Sequence, residues 1–429
     1  MKIALFNYSD NNGGAARATQ RIHYSLINLN VVSTLYVEKK TFSQNTIKSN
    51  PNLNKKFFSN LKLKLISKIT KIVSLNFKDY KSIAITGSKW PEFINNNSSI
   101  DIVHLNWINA EMMSIEDIGK ISKPIVWTFH DMWPFVGSDH LVDFIPTYAN
   151  ICGYKKNIIQ KILNIDKWTY IRKQKNWTKP FHIVTPSKWL EKCVKQSDLM
   201  HNWPVVTIPH PINTNFWCPL KKKDAKKKLG IDSNKKIILY GADGGTKSPN
   251  KGFDLLIKSL NLINNKSNNI TLCIFGNINK SKIITKFPIT DFGVINDDKK
   301  LKLIYNAADI CAVSSRQESF CQVALEAQSC GIPVVAFSIG GLKDIIQHKK
   351  TGYLATAYNI NEFSFYLNNC LNKPKKLLKM SRKARQRVLS LFSMRSVGKK
   401  YINLYKKILK NEQKNNRLMS KKFFKKSKF

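Results

Sequence analysis

The chain has 429 residues, 43% of them hydrophobic, which is more than one hydrophobic core usually supports and predicts two domains of about 200 residues each. No apolar run reaches the roughly 18 residues of a transmembrane helix, and the eight cysteines include no C-x-x-C pair, so neither a zinc site nor a disulfide framework is indicated. The formal net charge of +44 is typical of nucleic-acid or anionic-membrane binding, but only nine of the 71 basic residues are arginine, which weakens the nucleic-acid alternative.

The first half of the chain alternates apolar strands with helices. Residues 2–7 are too short an apolar stretch for a signal peptide and are typical of a first β-strand, so we expect the protein to remain in the cytoplasm. Five further runs of strand length follow, at residues 34–37, 102–105, 125–129, 182–185 and 205–208.

Two loops of this half carry residues suited to ligand binding. Gly13 and Gly14 follow the first strand, where glycine lets a ligand approach the backbone closely. Their spacing differs from the G-x-G-x-x-G dinucleotide fingerprint, so a Rossmann dehydrogenase is not indicated. His130 and Asp131 follow strand 125–129, at the carboxyl end where parallel sheets bind ligands. A lone histidine is more often structural, and this position is what makes His130 a candidate.

The second half repeats the alternation, with strands predicted at residues 236–241, 270–275, 310–313 and 333–337. Strands separated by helices predict parallel sheets, so the expected fold class is α/β with two doubly wound domains. Prolines and a lysine-rich run between residues 209 and 232 predict a linker between the domains.

Two loops of the second half also carry charged candidates. The first strand ends at Gly241, and its loop leads through Lys247 to Lys251 at a helix start, where a lysine can reach a pyrophosphate as a point charge. Glu318 lies in the turn after the third strand, and Glu326 lies about two helical turns further along. The first N–H groups of that helix lack intrahelical partners, so the turn is suited to an anion. Taken alone, two glutamates at this spacing are more often structural.

Two basic segments interrupt the pattern. Residues 55–81 mix lysines with apolar residues at three-to-four spacing, which predicts an amphipathic helix. Such a helix fits an anionic lipid surface, and the alternative is an ordinary surface helix packed on its own domain. Residues 412–429 are rich in lysine and are predicted to form a disordered tail.

Taken in order, these motifs resemble the retaining glycosyltransferases of family 4. Asn-Trp-Ile after Val103-His104-Leu105 is similar to bacterial enzymes that build surface polysaccharides. The resemblance spans nearly the whole chain and rests on the Gly13-Gly14 loop, His130-Asp131, Pro186-Ser187-Lys-Trp-Leu, the Lys251-Gly252 loop, Ala307-Ala308-Asp309, Glu318 to Glu326, and Cys330-Gly331-Ile-Pro333-Val-Val.

The resemblance implies the α/β fold called GT-B, in which two Rossmann-like, doubly wound parallel-sheet domains face a cleft. We expect an acceptor-side domain at residues 1–208, with the basic insertion inside it, and a nucleotide-sugar-binding domain at residues 209–390. A C-terminal helix at residues 391–411 is expected to return to the first domain.

The resemblance also implies roles for individual residues. His130, Lys251 and Glu318 are expected to be catalytic, with His130 beside the reacting sugar. Lys251 is expected to neutralise the diphosphate, and Glu326 to hold the ribose. The full set of implied donor-binding residues is Gly13, Gly14, Gly241, Lys247, Lys251, Ser319, Phe320 and Glu326.

Two positions depart from the family pattern. Cys321 stands where many relatives have glycine, and Ala242 stands where many have an arginine that pairs with the loop lysine. Lys247 is the candidate for that second charge. The departures leave open an inactive relative that serves as an assembly partner at the membrane.

The implied function is transfer of a sugar from a nucleotide-sugar donor to a glycan or lipid-linked acceptor with retention of anomeric configuration, in bacterial surface polysaccharide or lipopolysaccharide biosynthesis. No D-x-D pair occurs, so neither a metal nor another cofactor is expected. The expected partners are the donor, the acceptor and an anionic inner-membrane surface, without nucleic acid. We therefore expect a cytoplasmic protein, peripheral on the cytoplasmic face of the inner membrane.

Overall fold

The computed structural model describes residues 1–49, 81–142, 164–242, 248–263, 269–277 and 284–426, with side chains as far as residue 415. The chain divides into two compact units. Among the described residues, no helix combines the length and apolar character needed to cross a membrane. The first unit comprises Met1–Pro186, Glu191–Pro209 and Arg395–Phe429, and the second comprises Ser187–Leu190 and His210–Met394.

A parallel sheet forms the centre of the first unit. In the described part of the chain it has seven strands, in the order β3-β2-β1-β4-β5-β6-β7. The chain therefore winds towards one edge from β1 and towards the other from β4. The strands are β1 (Lys2–Ser9), β2 (Val32–Lys39), β3 (Ile47–Ser49), β4 (Ile102–Leu105), β5 (Ile125–Thr128), β6 (His182–Thr185) and β7 (Val205–Thr207).

Helices connect these strands. A capping box begins α3, because the Ser114 hydroxyl accepts a hydrogen bond from the Asp117 amide and the Asp117 carboxylate accepts one from the Ser114 amide. The helices are α1 (Gly13–Ile27), α2 (Trp90–Asn96), α3 (Ile115–Gly119), α4 (Ile165–Asn176) and α5 (Lys188–Lys195), with a 3₁₀ turn at Trp133–Phe135.

The second unit has the same topology. Counting only residues that the structure describes, its parallel sheet has six strands in the order β10-β9-β8-β11-β12-β13. The strands are β8 (Lys236–Ala242), β9 (Ile270–Gly276), β10 (Ile289–Asp291), β11 (Ile310–Val313), β12 (Val334–Phe337) and β13 (Gly352–Ala355). The helices are α6 (Lys222–Lys228), α7 (Phe253–Asn261), α8 (Asp298–Ala307), α9 (Gln322–Ser329), α10 (Leu342–Ile345), α11 (Ile360–Asn372) and α12 (Pro374–Leu391). The last described helix, α13 (Met394–Lys426), belongs to the first unit from Arg395 onwards.

The prediction of an α/β fold with two doubly wound parallel sheets is confirmed. Every strand predicted from the sequence is present. All of them except the edge strand β7 lie inside a sheet, where buried strands are apolar on both faces and form continuous hydrophobic runs. The strands β3, β10 and β13 were not predicted. Each has only three or four residues and lies at a sheet edge, where the hydrophobic signal is short.

The lysine-rich run that the sequence predicts as linker is helical instead. Residues Lys222–Lys228 form α6 in the second unit, with Ala225 fully buried. Lys222 forms an ion pair with Asp309 at 2.5 Å, and Lys226 donates hydrogen bonds to backbone carbonyls. Ala225 and the apolar stems of the lysines let this short helix pack against the second unit. The composition of the run did not indicate this.

The C-terminal segment also differs from its prediction. Helix α13 continues to Lys426 and so includes most of residues 412–429, for which the sequence predicts a disordered tail. No glycine or proline follows Gly398, and the lysines and leucines there favour a helix. Most of the predicted basic insertion at residues 55–81 lies outside the described residues. Its last member, Lys81, is buried and paired with Asp139 at 2.7 Å and Asp166 at 3.0 Å.

The start of α13 packs into the core of the first unit. Tyr401 and Tyr405 are fully buried there. The Tyr405 hydroxyl lies 2.7 Å from Nδ1 of His104 on β4, and the Tyr401 hydroxyl lies 3.1 Å from the Thr128 hydroxyl on β5. Buried polar groups need such partners, so these hydrogen bonds hold the helix in one register on the sheet.

Candidate functional site

The central strands of the second sheet position the charged candidates. Strands β8 and β11 are neighbours, and the chain winds in opposite directions from them. Open parallel sheets bind ligands outside the carboxyl ends of such a pair. The loop that leads to Lys251 follows β8, and the turn that holds Glu318 follows β11.

Lys251 and Glu318 are in direct contact. Lys251 Nζ lies 2.7 Å from Glu318 Oε1, and the Ser315 hydroxyl donates to the same oxygen at 2.8 Å. The Glu318 side chain is 10% exposed and that of Lys251 is 29% exposed. The Ser315 hydrogen bond thus holds the Glu318 carboxylate in place. The more exposed Lys251 ammonium group remains within reach of an anionic ligand.

Close backbone packing fixes the Lys251 segment. Gly252 has φ +59°, and a Cβ there would lie 2.0 Å from the Ser314 carbonyl oxygen. The hydroxyls of Ser314 and Tyr240 both donate to the Lys251 carbonyl, at 3.2 and 3.3 Å. A side chain at position 252 would push the loop away from β11, so glycine is required there.

Arg316 ties the two loops together. Its amide donates to the Asn250 carbonyl at 2.8 Å, and its guanidinium donates to the Pro249 carbonyl at 2.7 Å. The same guanidinium binds both oxygens of Asp254, at 2.8 and 2.6 Å. Hydrogen bonding to Arg316 holds the pKa of Asp254 below its usual value. Arg316 was not predicted from the sequence, because its contacts depend on the mutual placement of two loops.

Gly340 and Gly341 pack against the Glu318 turn and were also missed. The Gly341 amide donates to the Glu318 carbonyl at 2.9 Å. Gly340 has φ +46°, and a Cβ there would lie 2.1 Å from the same carbonyl oxygen. A Gly-Gly pair separated by two residues from the end of β12 is the signal that would have identified them.

Glu326 lies inside the second unit. Its side chain is on α9 and is 2% exposed, and its Oε2 accepts a hydrogen bond from the Tyr305 hydroxyl at 3.0 Å. Burial raises the pKa of Tyr305 well above its usual value, and the Glu326 charge acts in the same direction. The Tyr305 hydroxyl is therefore neutral at pH 7 and donates its hydrogen bond to the Glu326 side chain.

Residues around the start of α9 are largely buried. Ser319 and Phe320 are 8% and 7% exposed, and the Phe320 ring packs edge-on to His210 at 4.9 Å. Cys321 is the N-cap residue of α9, and its side chain makes no capping hydrogen bond. Burial raises the pKa of the Cys321 thiol well above its usual value, so it is a neutral thiol at pH 7.

The carboxyl end of β8 is tightly packed. A Cβ on Gly241 would lie 1.9 Å from the Phe275 ring, so the glycine makes room for that ring. Ala242 is buried at the end of the strand. Lys247, the candidate for a second charge, lies outside the described residues.

The first unit holds the remaining candidates. Gly13 and Gly14 begin α1, and Gly13 has φ +84°, which favours glycine. His130 follows β5, and its Nε2 lies 3.1 Å from Oδ1 of Asn106, which follows β4. Burial lowers the pKa of His130 to about 4 despite the opposing charge of Asp131, so the imidazole is neutral at pH 7.

Comparison with known proteins identifies the second unit. Residues 221–387 match the family described as Glycosyl transferases group 1. We call this matching segment the group 1 domain. It contains Gly241, Lys251, Glu318, Ser319, Phe320 and Glu326, so these predicted donor-site residues all belong to the group 1 domain.

Curated relatives match only in part. D-inositol 3-phosphate glycosyltransferase of Thermobispora bispora is 28% identical over 193 residues, which are 41% of this chain and 44% of that protein. The chain thus spans less than half the length of this relative.

Solved structures match over nearly the whole chain. Sucrose-phosphate synthase from Thermosynechococcus elongatus has a TM-score of 0.66 at 16% identity, covering 96% of this chain and 100% of that one. HepE of Anabaena, in complex with UDP and glucose, has a TM-score of 0.63 at 14% identity, covering 95% and 100%. Likeness at this identity concerns the fold, and the predicted GT-B fold is confirmed.

The group 1 domain brings Lys251, Glu318 and Ser315 into one cluster, with Arg316 and Gly340 supporting it. The tightly held Glu326 lies further along α9, bonded to Tyr305. Gly13, Gly14 and His130 belong to the first unit. The roles of all these residues in binding or catalysis remain predictions.

Proposed function

We propose that the protein transfers a sugar from a nucleotide-sugar donor to a glycan or lipid-linked acceptor, with retention of anomeric configuration. The observation that carries the proposal is the contact of Lys251 with Glu318 at the carboxyl ends of β8 and β11 in the group 1 domain. A cation and a carboxylate at this position suit the two parts of a nucleotide sugar. The ammonium suits the diphosphate, and the carboxylate accepts hydrogen bonds from sugar hydroxyls.

In the proposed reaction, departure of the nucleoside diphosphate builds negative charge on the phosphate oxygens. Lys251 and the backbone N–H groups at the start of α9 stabilise that charge, so no metal is required. For retention, the acceptor attacks from the face that the diphosphate leaves, and the leaving phosphate takes the acceptor's proton. His130 is the catalytic candidate of the first unit. Its neutral imidazole has one donor and one acceptor nitrogen, and either can form a hydrogen bond with a sugar hydroxyl.

We further propose that the acceptor belongs to bacterial surface polysaccharide or lipopolysaccharide biosynthesis, and that the protein acts at the cytoplasmic face of the inner membrane. The Asn-Trp-Ile segment after β4 supports the first statement. The net charge of +44 supports the second, because anionic lipid attracts basic surfaces.

A thermal-shift screen tests the proposed function directly. The full chain is melted with UDP, GDP, ADP and their common sugar conjugates, with and without added EDTA. A ligand that binds only the folded state stabilises it, by about 2.7 kcal/mol at one hundred times Kd. One nucleotide family should raise the melting temperature, in EDTA as well, and its sugar conjugate should be consumed when acceptor glycans are added.

Two variants make the screen specific. Lys251→Ala should lose the shift, whereas Lys258→Ala, which removes the same charge from an exposed position on α7, should keep it. Absence of any shift with every nucleotide would contradict the proposed function. Binding without turnover of any donor would instead favour the inactive assembly partner.

A further inference from the structure

Three partly exposed aromatic rings lie at the carboxyl ends of the central strands of the first sheet. Tyr8 is near the end of β1, Trp107 follows β4, and His140 lies beyond the turn after β5. Strands β1 and β4 are neighbours from which the chain winds in opposite directions. That is where open parallel sheets bind ligands. We call Tyr8, Trp107 and His140 the aromatic shelf.

Hydrogen bonds and ring contacts hold the aromatic shelf together. The Tyr8 amide donates to the Trp107 carbonyl at 2.8 Å, and the Trp107 amide donates to Asn7 Oδ1 at 2.9 Å. The Tyr8 and Trp107 ring centres are 6.0 Å apart at 75°, and those of Trp107 and His140 are 5.9 Å apart at 34°. Side chains that are already held by such contacts lose less conformational entropy when a ligand binds.

Asp131 organises two of the three rings. Its Oδ2 accepts a hydrogen bond from the Trp107 indole N–H at 2.9 Å and lies 2.6 Å from Nδ1 of His140. His140 Nε2 is in turn 2.9 Å from the Ser82 hydroxyl. The Asp131 and His140 side chains are each 16% exposed, so polar atoms border the rings at the surface.

We propose that the aromatic shelf binds a pyranose ring of the acceptor, so that the acceptor ends in a sugar. A pyranose has an apolar C–H face that packs on aromatic rings, and Asp131 holds the rings of Trp107 and His140 in place for that contact. The proposal rests on the proposed function, since the group 1 domain accounts for the donor and leaves the first unit for the acceptor.

Saturation-transfer NMR on the full chain tests the proposal without knowledge of the natural acceptor. The probes are the methyl α-D-pyranosides of glucose, galactose and mannose, with myo-inositol 1-phosphate for comparison. We expect saturation transfer to the C–H protons of at least one pyranoside. Trp107→Ala should abolish the transfer, Trp107→Phe should retain part of it, and Trp168→Ala should leave it unchanged, because Trp168 is a 47% exposed tryptophan outside the shelf.

Far-UV circular dichroism establishes that each variant is folded, and Tyr8→Ala replaces Trp107→Ala if that variant is not. No transfer to any pyranoside, undiminished transfer in the folded shelf variant, or stronger transfer to inositol 1-phosphate would overturn the proposal. Thermal shifts with UDP, GDP and ADP on the same samples separate the two claims. Nucleotide binding without pyranoside binding refutes the shelf alone, whereas absence of nucleotide binding refutes the proposed function.

Discussion

Lys251 and Glu318 are separated by 66 residues along the chain, yet their side chains meet at 2.7 Å. The doubly wound order of the sheet causes this contact, because it makes β8 and β11 neighbours and brings the loops after them together. The contact is also asymmetric. Glu318 has a second partner in Ser315, whereas Lys251 is the more exposed member of the pair.

Glu318→Gln should reduce sugar transfer while leaving the protein folded. The glutamine amide has nearly the same shape, but it lacks the negative charge that attracts Lys251 and strengthens hydrogen bonds from sugar hydroxyls. Hydrogen bonds to charged groups contribute about 1.5 to 3 kcal/mol, so turnover should fall roughly 10- to 100-fold. Donor consumption measures the effect, and Glu92→Gln, at an exposed position on α2, is the control. Equal turnover in both variants would contradict a role for Glu318 in sugar transfer.

Arg316→Ala should act on donor binding through the Lys251 segment. The guanidinium bonds to Pro249 and Asp254, so its loss frees the segment that carries Lys251. We expect the KM for the donor to rise about tenfold, equivalent to about 1.4 kcal/mol, with a smaller change in kcat. Hydrogen exchange of the amides at residues 250–256 should accelerate.

The exposed Arg382 supplies the matched control for this prediction. Arg382→Ala should alter neither the KM nor the exchange rates. If Arg316→Ala also left both at wild-type values, the guanidinium would have no positioning role.

Gly340→Ala should destabilise the second unit more than Gly230→Ala. Both glycines have positive φ, +46° and +67°, but a Cβ at 340 would overlap the Glu318 carbonyl oxygen at 2.1 Å, whereas nothing lies within 4 Å at 230. Left-handed backbone costs a non-glycine residue about 1 to 2 kcal/mol. Overpacking at 340 should add about 1 to 3 kcal/mol. Thermal melts compare the two variants, and equal losses would show that the turn relaxes freely.

The sequence predicted the inner strands of both sheets and the edge strand β7, and it missed the edge strands β3, β10 and β13. Long apolar runs marked the central strands, and the Lys251 and Glu318 loops were recognised by their places after such strands. Arg316 and Gly340 were not predicted, because their roles depend on contacts between loops that are distant in sequence. The helix at Lys222–Lys228 was missed because a run of lysines conceals one buried alanine.

The first unit should lose stability as the pH falls from 7.5 to 5. Burial lowers the pKa of His23 to about 4, that of His104 to about 3 and that of His130 to about 4. In the unfolded chain these pKa values are about 6.5. Between the folded and unfolded values the unfolded state binds more protons, so stability is full above the unfolded pKa and decreases as the pH falls below it.

For His23 alone, the free energy of unfolding is expected to fall by about 2 kcal/mol between pH 7.5 and 5. Its ring bonds to the hydroxyls of Ser33 and Thr46, so His23→Gln should flatten the pH dependence of the melting temperature. His201→Gln, at an exposed histidine, should keep the wild-type slope. If the melting temperature of His23→Gln varied with pH as steeply as that of wild type, the pKa of His23 would be the same in the folded and the unfolded protein.

The central claim is that Lys251 of the group 1 domain binds the diphosphate of a nucleotide sugar. Calorimetric titration of the full chain with UDP, GDP and ADP tests it most directly, using wild type, Lys251→Ala and Lys258→Ala. We predict that one nucleotide binds wild type and Lys258→Ala with the same Kd, and binds Lys251→Ala at least about tenfold more weakly, a loss of about 1.4 kcal/mol or more. Equal affinity for Lys251→Ala and wild type would contradict the account.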